Sequence, residues 1–248
     1  MTSTDYGVWG TLNDKLAGPA ESEFIEYIAG LLQPRGRVFE VGIGSGRLAL
    51  PLARAGFAVS GIDTSERMLQ LLAANDPEQL ISWWQGDITE DRIYGTFDVV
   101  LLAYNVLSML PDTEAQEQAL RNACRHVASG GFLVIENVAP QAITSQLNER
   151  NQAVGMQFHD DDVWLNLSRY YPAHNHYKAR FLAFENGCFI ERRGDLTLIK
   201  EEKVREAVSR NGLEFVRLAE SWTGDPYSDA SAKYVLTFLR RNGDGADL

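Results

Sequence analysis

The sequence predicts an α/β fold, in which a doubly wound and mostly parallel β-sheet is followed by an antiparallel β insertion after the fifth strand. Between residues 22 and 136, short apolar segments alternate with amphipathic segments. The apolar segments are continuous, which is typical of parallel strands that are covered on both faces. After Pro140 the segments become longer, and two of them meet at Asn186-Gly187, a dipeptide typical of β-hairpins.

The first elements are a helix, a strand and a second helix. Residues 22–32 carry apolar side chains at helical spacing and are followed by Pro34, which predicts an amphipathic helix. Residues 37–41 form a short apolar strand that runs directly into a glycine-rich turn. Residues 48–55 then have helical spacing that ends at Gly56. This order of strand, tight turn and helix is typical of a ligand-binding sheet edge.

The alternation continues to the end of the predicted fifth strand. In chain order, the pattern predicts a strand at 58–62, a helix at 65–74, strands at 81–85 and 97–103, a helix at 114–127 and a strand at 132–136.

Three successive antiparallel strands are expected after this core. They are predicted at residues 163–171, 177–185 and 188–199. A helix over 200–210 follows, and residues 213–219 and 234–239 are predicted as two final strands, a hairpin that returns to the main sheet.

The composition favours a small-molecule partner over nucleic acid or a membrane. The 248 residues include 23 basic and 34 acidic side chains, so that the formal net charge is −11 and polyanions should be repelled. No apolar stretch approaches the roughly 18 residues that a membrane helix needs, and a cytoplasmic location is expected. Cys124 and Cys188 lack both CxxC spacing and nearby histidines, and they are predicted to be free structural thiols.

The strand-to-helix turn at residues 38–47 is the most informative stretch for chemistry. Its third glycine, Gly46, is two positions after Gly44, whereas in the dinucleotide fingerprint the third glycine is three positions after the second. Glu40 lies two residues before Gly42, where a carboxylate would repel phosphate and attract a ligand ammonium group. The turn therefore favours a cationic or zwitterionic cofactor over a pyrophosphate.

Two further acids follow the next two strands. Asp63 ends the second strand, 63 − 42 = 21 residues after Gly42, near the spacing at which an acid accepts hydrogen bonds from ribose hydroxyls. Asp87 ends the third strand. Because the carboxyl ends of parallel strands lie on one edge, Glu40, Asp63 and Asp87 should line one crevice and suit a nucleoside with an amino-acid tail. Asp63 could instead be a helix N-cap, and Asp87 a turn acid.

These segments resemble the class I S-adenosylmethionine-dependent methyltransferases, of the bacterial small-molecule type. The similar segments are 40–46, 61–63, 86–88, 97–105 and 130–136, within a match from about residue 36 to 138. The resemblance implies a seven-stranded Rossmann-like sheet, S-adenosyl-L-methionine as cofactor and S-adenosyl-L-homocysteine as product. It implies that the cofactor is bound by Glu40, Gly42, Gly44, Gly46, Arg47, Asp63, Thr64, Met68, Asp87, Ile88 and Ala103.

The resemblance also implies four regions along the chain. Residues 1–35 would form an N-terminal lid and helix, 36–140 the S-adenosylmethionine-binding core, 141–195 a β-rich substrate insertion, and 196–248 the helix and strands that complete the sheet. Tyr6 and Trp9 would contribute to a lid over the cofactor, although an aromatic pair at this position could equally serve packing.

Catalysis by such a protein would depend mainly on positioning, because the methyl group sits on an already activated sulfonium. Tyr104 and Asn105 follow the fourth strand and are predicted to lie beside the methyl group, with Asn105 orienting cofactor or acceptor. A histidine could act as general base. The candidates are His159, His174 and His176, of which His176 is taken as the catalytic candidate. No metal site is expected, since methyl transfer from a sulfonium needs none.

The predicted acceptor is a small molecule, methylated on nitrogen or oxygen, with natural products and amino sugars as the classes that the resemblance favours. One face of the first predicted insertion strand, formed by Trp164, Asn166, Ser168 and Tyr170, could form a substrate wall if its opposite, apolar face packs inward. Three alternatives stay open: a cyclase that only binds S-adenosylmethionine, a non-methylating scaffold, and a nicotinamide dehydrogenase. A homodimer also remains open.

Overall fold

The computed structural model describes residues 22–32, 35–90, 93–159, 162–185 and 188–243. In these ranges the chain forms one seven-stranded and one four-stranded sheet. None of the helices found there is both long and apolar enough to span a membrane. The predicted Tyr6 and Trp9 lid lies outside the described residues, as does the predicted Asn186-Gly187 turn.

The helices are short and mostly follow individual strands. They are α1 Ser22–Leu31, α2 Ala49–Arg54, α3 Glu66–Asn75, α4 Val106–Met109, α5 Thr113–Arg125, α6 Pro140–Thr144 and α7 Glu201–Arg210, with a 3₁₀ turn at Pro172–His174. The strands are β1 Arg37–Val41, β2 Ala58–Asp63, β3 Ser82–Gln85, β4 Phe97–Leu102, β5 Val127–Val138, β6 Gln152–His159, β7 Asp162–Tyr171, β8 His176–Glu185, β9 Cys188–Thr197, β10 Glu214–Ala219 and β11 Lys233–Leu239.

The larger sheet has the strand order β10-β11-β5-β4-β1-β2-β3. Among the described strands of this sheet, β11 alone runs in the direction opposite to the other six, so the predicted mostly parallel, doubly wound sheet is confirmed. The chain leaves β1 toward β2 on one side and returns to β4 on the other. This reversal of strand order opens a crevice at the carboxyl ends of β1 and β4, where ligands bind in open α/β sheets.

The central strands are buried on both faces. Val99 and Leu101 of β4 pack into one hydrophobic cluster, while Val100 and Leu102 pack into another on the opposite face. All four side chains are fully buried. This arrangement explains why β4 is a continuous apolar stretch in the sequence instead of an alternating one.

The smaller sheet is an antiparallel meander of four strands, β6-β7-β8-β9. The antiparallel insertion is therefore confirmed, although the sequence predicted three strands and missed β6. β6 contains Gly155 and has exposed apolar side chains, so its own pattern does not indicate a half-buried strand. It is held by pairing with β7, in which Val154 lies opposite Leu167.

The start of β5 also differs from the sequence-based boundary. The structure ends α5 at Arg125 and begins β5 at Val127, five residues earlier than predicted. The backbone N–H of Phe97 donates to the carbonyl of His126 at 2.8 Å, and Val127 pairs with Phe97. Pairing with β4 thus overrides the helical spacing of these residues.

Candidate active site

The glycine turn after β1 has a backbone that only glycine adopts without strain. Gly42, Gly44 and Gly46 have φ angles of +69°, +55° and +85°. A Cβ atom at Gly42 would lie 2.6 Å from Cγ2 of Val106, and one at Gly46 would lie 2.4 Å from Cδ1 of Leu72. Conformation therefore favours glycine at all three positions, and lack of space also requires it at Gly42 and Gly46.

Asp63 joins this turn to the start of α3. One carboxylate oxygen accepts the N–H of Gly44 at 2.9 Å, and the other accepts the N–H of Ser65 at 2.8 Å. Burial raises the pKa of Asp63, and the two N–H donors counteract that rise. The side chain that caps α3 is Ser65, whose Oγ accepts the N–H of Met68 at 3.3 Å. Each oxygen of Asp63 retains a second lone pair for a ligand hydroxyl.

The remaining residues predicted at the nucleoside end have different environments. Asp87 stabilises its own turn, because its Oδ1 accepts both the N–H and the hydroxyl of Thr89 at 2.8 and 2.7 Å. The side chain of Ile88 is buried in the core beside the sheet. Thr64 is exposed, and Met68 lies against the glycine turn, with its Cε 3.0 Å from the position of a Cβ at Gly44.

Glu40 and Arg47 place two incompletely satisfied charged groups at the same turn. Glu40 is only 4% exposed, and its Oε2 has no hydrogen-bond partner. Burial raises the pKa of Glu40 to about 8, which Asp63 reinforces and the guanidinium of Arg47 opposes. The Cζ atom of Arg47 lies 3.5 Å from the ring centroid of Tyr104, and its buried Nη2 also lacks a partner.

A ligand with both an ammonium and a carboxylate group would satisfy this pair. Buried polar atoms are nearly always hydrogen-bonded in folded proteins, so an orphaned acceptor and an orphaned donor at one sheet edge indicate a binding site. The α-amino acid end of S-adenosylmethionine carries the two complementary charges. The residues present therefore fit this cofactor. Ala103, which is buried, follows the last residue of β4 and precedes Tyr104 in the sequence.

The turn after β4 holds Tyr104 and Asn105 in a strained conformation. Both have left-handed φ angles, 56° and 65°. Oε2 of Glu136 accepts the N–H of Tyr104 at 2.6 Å, and Oδ1 of Asn105 accepts the N–H of Val138 at 2.5 Å. The side-chain oxygen of Asn105 is thus used to join the ends of β4 and β5, while its predicted role toward the acceptor remains a prediction.

Glu136 is a site residue that the sequence reasoning missed. It lies at the carboxyl end of β5, is 6% exposed, and has its Oε1 3.5 Å from Nζ of Lys233 on β11. Burial raises the pKa of Glu136, and Lys233, the N–H of Tyr104 and Arg47 each lower it. An acid that interrupts an apolar strand, as Glu40 does in β1, is the signal that could have identified it.

The three histidines predicted as general-base candidates lie in the insertion. His176 begins β8 and lies opposite Thr197, whose hydroxyl donates to the carbonyl of Pro111 at 2.9 Å. The Nε2 atom of His176 is buried and has no hydrogen-bond partner, and burial lowers the pKa of its imidazole. His174 is exposed, and the side chain of His159 is not described. Among the described residues, no cluster of three or more His, Cys, Asp or Glu side chains could hold a metal ion.

The substrate-wall hypothesis assumed that the apolar face of β7 packs inward, and the structure shows the opposite arrangement. Trp164 and Ser168, on the mixed face, are buried. Leu167, on the apolar face, is 39% exposed, and its neighbour Val154 on β6 is 76% exposed. The mixed face, which also carries Asn166 with a buried and unpartnered Oδ1, is therefore the inner face.

Comparison with known families and curated proteins gives matches to methyltransferases. The pattern of a methyltransferase domain family matches residues 38–131. The cypemycin N-terminal methyltransferase of Streptomyces sp. is 28% identical over 103 residues, covering 42% of each chain. The glycine N-methyltransferase of Oryctolagus cuniculus is 30% identical over 135 residues, covering 47% of this chain and 46% of its own. The chain thus spans less than half the length of these curated relatives.

Solved structures resemble the chain over nearly its whole length. The CcbJ methyltransferase from Streptomyces caelestis has a TM-score of 0.87 at 23% identity, covering 97% of this chain and 100% of its own. CalS10, an amino pentose methyltransferase from Micromonospora echinaspora, has a TM-score of 0.69 at 19% identity and covers 93% and 96%. The sugar N-methyltransferase KedS8 from Streptoalloteichus sp. also scores 0.69 at 19% identity, covering 98% and 95%. These similarities show that the fold, including the insertion, is shared.

Proposed function

We propose, from the methyltransferase-domain match over residues 38–131, that the chain is a class I S-adenosylmethionine-dependent methyltransferase and that it methylates a nitrogen atom of a small amine. An oxygen acceptor is the second candidate. Amines are favoured because two solved neighbours are described as an amino pentose methyltransferase and a sugar N-methyltransferase. A natural product that carries an amino sugar is therefore the proposed substrate class.

The observation that carries the proposal is the pair of buried, unpartnered atoms Oε2 of Glu40 and Nη2 of Arg47. In the proposed complex, Glu40 receives the ammonium group of S-adenosylmethionine, Arg47 its carboxylate, and Asp63 its ribose hydroxyls. When bound, the cofactor supplies a methyl group on a sulfonium, an already activated leaving group. The glycine turn provides the close backbone approach that such a ligand needs.

The chain's own contribution to the reaction is to align the acceptor and to exclude water. A nucleophile that is held in line close to the methyl carbon reacts without covalent catalysis, because orientation removes most of the entropic cost. Tyr104 lies at the end of β4 with Arg47 over its ring, where it would border the reacting groups. The amine must be neutral to attack, and His176 is the proposed base for its proton.

The acceptor is proposed to be small and not a nucleic acid. The formal net charge of −11 would attract a cationic amine at long range and repel a polyanion. The carboxylates of Asp63 and Glu136 at the crevice have the same sign as the whole molecule when they are ionised. An amine would therefore be concentrated near the site before it loses its proton.

Titration calorimetry and product analysis test the proposal together. We expect binding of S-adenosylmethionine and S-adenosylhomocysteine without binding of NAD, and a mass gain of one methyl group on an amino sugar, with the matched hydroxyl sugar as control. Binding of NAD alone would indicate a dehydrogenase. Cofactor binding with an unmethylated, rearranged product would indicate the cyclase alternative, and either result would overturn the proposal.

A further inference from the structure

Three ionisable side chains, Glu136, Arg47 and Glu40, interact around the turn that contains Tyr104. Glu136 is buried at the end of β5, and its carboxylate accepts the N–H of Tyr104 at 2.6 Å. The ring of Tyr104 supports the guanidinium of Arg47, whose Nη2 is buried without a partner. A second buried carboxylate, Glu40, lies in the field of the same guanidinium. Two buried carboxyl groups therefore interact with Arg47, and Glu136 needs a second cation if Arg47 is to serve a ligand carboxylate.

Lys233 is that second cation. Its Nζ lies 3.5 Å from Oε1 of Glu136, on the oxygen that does not bind Tyr104. The register explains this contact, since Lys233 pairs with Val138 and Val235 with Glu136, which places Lys233 diagonally across from Glu136 on the same face. The carboxylate of this ion pair is mostly buried, so solvent screens the interaction with Lys233 only weakly.

We infer that Lys233 is a positioning residue for the cofactor's amino-acid end, because by pairing with Glu136 it leaves Arg47 over Tyr104 and available to a ligand carboxylate. This inference rests on the proposed function. Without Lys233, the unpaired Glu136 carboxylate would draw the Arg47 guanidinium toward itself and away from the crevice, because leaving a buried charge unpaired is costly. The residue lies on β11, outside the matched residues 38–131.

The primary test measures ligand affinity by calorimetry for Lys233→Met, a substitution that keeps the length of the side chain and removes its charge. We expect the dissociation constant of S-adenosylhomocysteine to rise about tenfold, equivalent to ~1.4 kcal/mol. The dissociation constant of 5′-methylthioadenosine, which lacks the amino-acid end, should change by less than about twofold. Equal weakening of both ligands would indicate a general structural role and would overturn the inference.

Two further variants separate the pairing from an unspecific loss of charge. Lys203→Met is the matched control, because Lys203 is an exposed lysine on α7 whose Nζ lies 2.8 Å from Oε2 of Glu206. It should leave both affinities unchanged. Glu136→Gln keeps an oxygen for the N–H of Tyr104 but removes the negative charge, so adding it to Lys233→Met should restore most of the lost affinity.

The outcomes distinguish this inference from the proposed function. If the wild-type protein binds neither sulfur nucleoside, the proposed function fails. If the wild type binds both, but Lys233→Met leaves the S-adenosylhomocysteine affinity unchanged, or the double variant binds no better than Lys233→Met alone, the inference fails while the proposed function stands. Melting midpoints of all variants identify any loss of folding.

Discussion

At the scale of single residues, Asp63 has an observed structural role and a proposed ligand-binding role, which two substitutions can separate. Its oxygens accept the N–H groups of Gly44 and Ser65, while Ser65 itself caps α3. A carboxylate that also accepts ribose hydroxyls makes charge-assisted hydrogen bonds, which are stronger than neutral ones. Asp63 should therefore determine affinity, whereas Ser65 should determine mainly stability.

Asp63→Ala is expected to raise the dissociation constant of S-adenosylmethionine by about 30- to 1000-fold, the equivalent of roughly 2–4 kcal/mol. Ser65→Ala is the matched control and should cost about 0.5–2 kcal/mol of unfolding free energy with little change in affinity. Calorimetry and thermal denaturation measure the two quantities. If Asp63→Ala binds the cofactor as the wild type does and only its midpoint falls, Asp63 has a structural role alone.

Glu40 predicts how the stability of the ligand-free protein depends on pH. Its pKa of about 8 in the folded protein exceeds the ordinary value of 4.5, so the folded state binds more protons than the unfolded state between these values. The contribution of Glu40 to stability is therefore complete below about pH 4.5 and is lost as the pH rises through about 8. As the pH rises from 4.5 to about 8, the stability of Glu40→Gln should therefore fall less than that of the wild type. Denaturant titrations at a series of pH values would reveal this, and parallel pH profiles would contradict it.

The same group predicts proton release when the cofactor binds. An ammonium group beside Glu40 favours the ionised carboxylate, so binding of S-adenosylhomocysteine near pH 7 should release a proton from the folded protein. Calorimetry in buffers with different ionisation enthalpies measures that proton, and Glu40→Gln should abolish the buffer dependence. An identical heat in every buffer for the wild type would show that Glu40 does not face the ammonium group.

At the scale of elements, the sequence predicted the strands whose own residues specify burial. The apolar side chains of β4 are buried on both faces, so its pattern was sufficient to identify it as a central parallel strand. β6 was missed because Val154 and Met156 are exposed, and its strand conformation depends on pairing with β7. The contact between Glu136 and Lys233 was missed for the same reason, since it results from the register of β5 and β11.

The candidate site could be predicted most directly where its residues are close in sequence to a turn. Glu40, the glycines and Arg47 belong to one strand-turn-helix unit, whose chemistry can be interpreted without knowledge of the rest of the fold. Asp87 and Asn105 were harder, because whether their side chains face a ligand or a backbone N–H depends on the turn geometry at Asp87 and on the neighbouring strand β5 at Asn105. In the structure both bind nearby backbone N–H groups.

The inner face of β7 predicts a substrate-selective variant. We propose that this inner face borders the acceptor, so that Trp164→Phe, which keeps much of the volume of a side chain that is 7% exposed, should raise KM for the acceptor severalfold. The dissociation constant of S-adenosylhomocysteine should change little. Leu167→Ala on the outer face is the control and should affect neither quantity. Equal loss of acceptor and cofactor binding in Trp164→Phe would identify Trp164 as a core residue instead.

At the scale of the whole molecule, the excess of acidic residues predicts how the reaction responds to salt. A formal charge of −11 creates a negative potential that attracts a protonated amine over distances comparable to the Debye length, about 30 Å at 0.01 M salt and 8 Å at 0.15 M. The value of kcat/KM for an amino sugar should therefore fall severalfold between these two salt concentrations. The affinity for S-adenosylhomocysteine should be nearly constant, because its amino-acid end carries no net charge.

Initial rates at fixed pH measure the salt dependence of kcat/KM, and calorimetry measures the affinity for S-adenosylhomocysteine. A hydroxyl sugar is the uncharged control. A kcat/KM for the amine that rises with salt, or that changes no more than that of the hydroxyl sugar, would show that the acceptor does not approach as a cation.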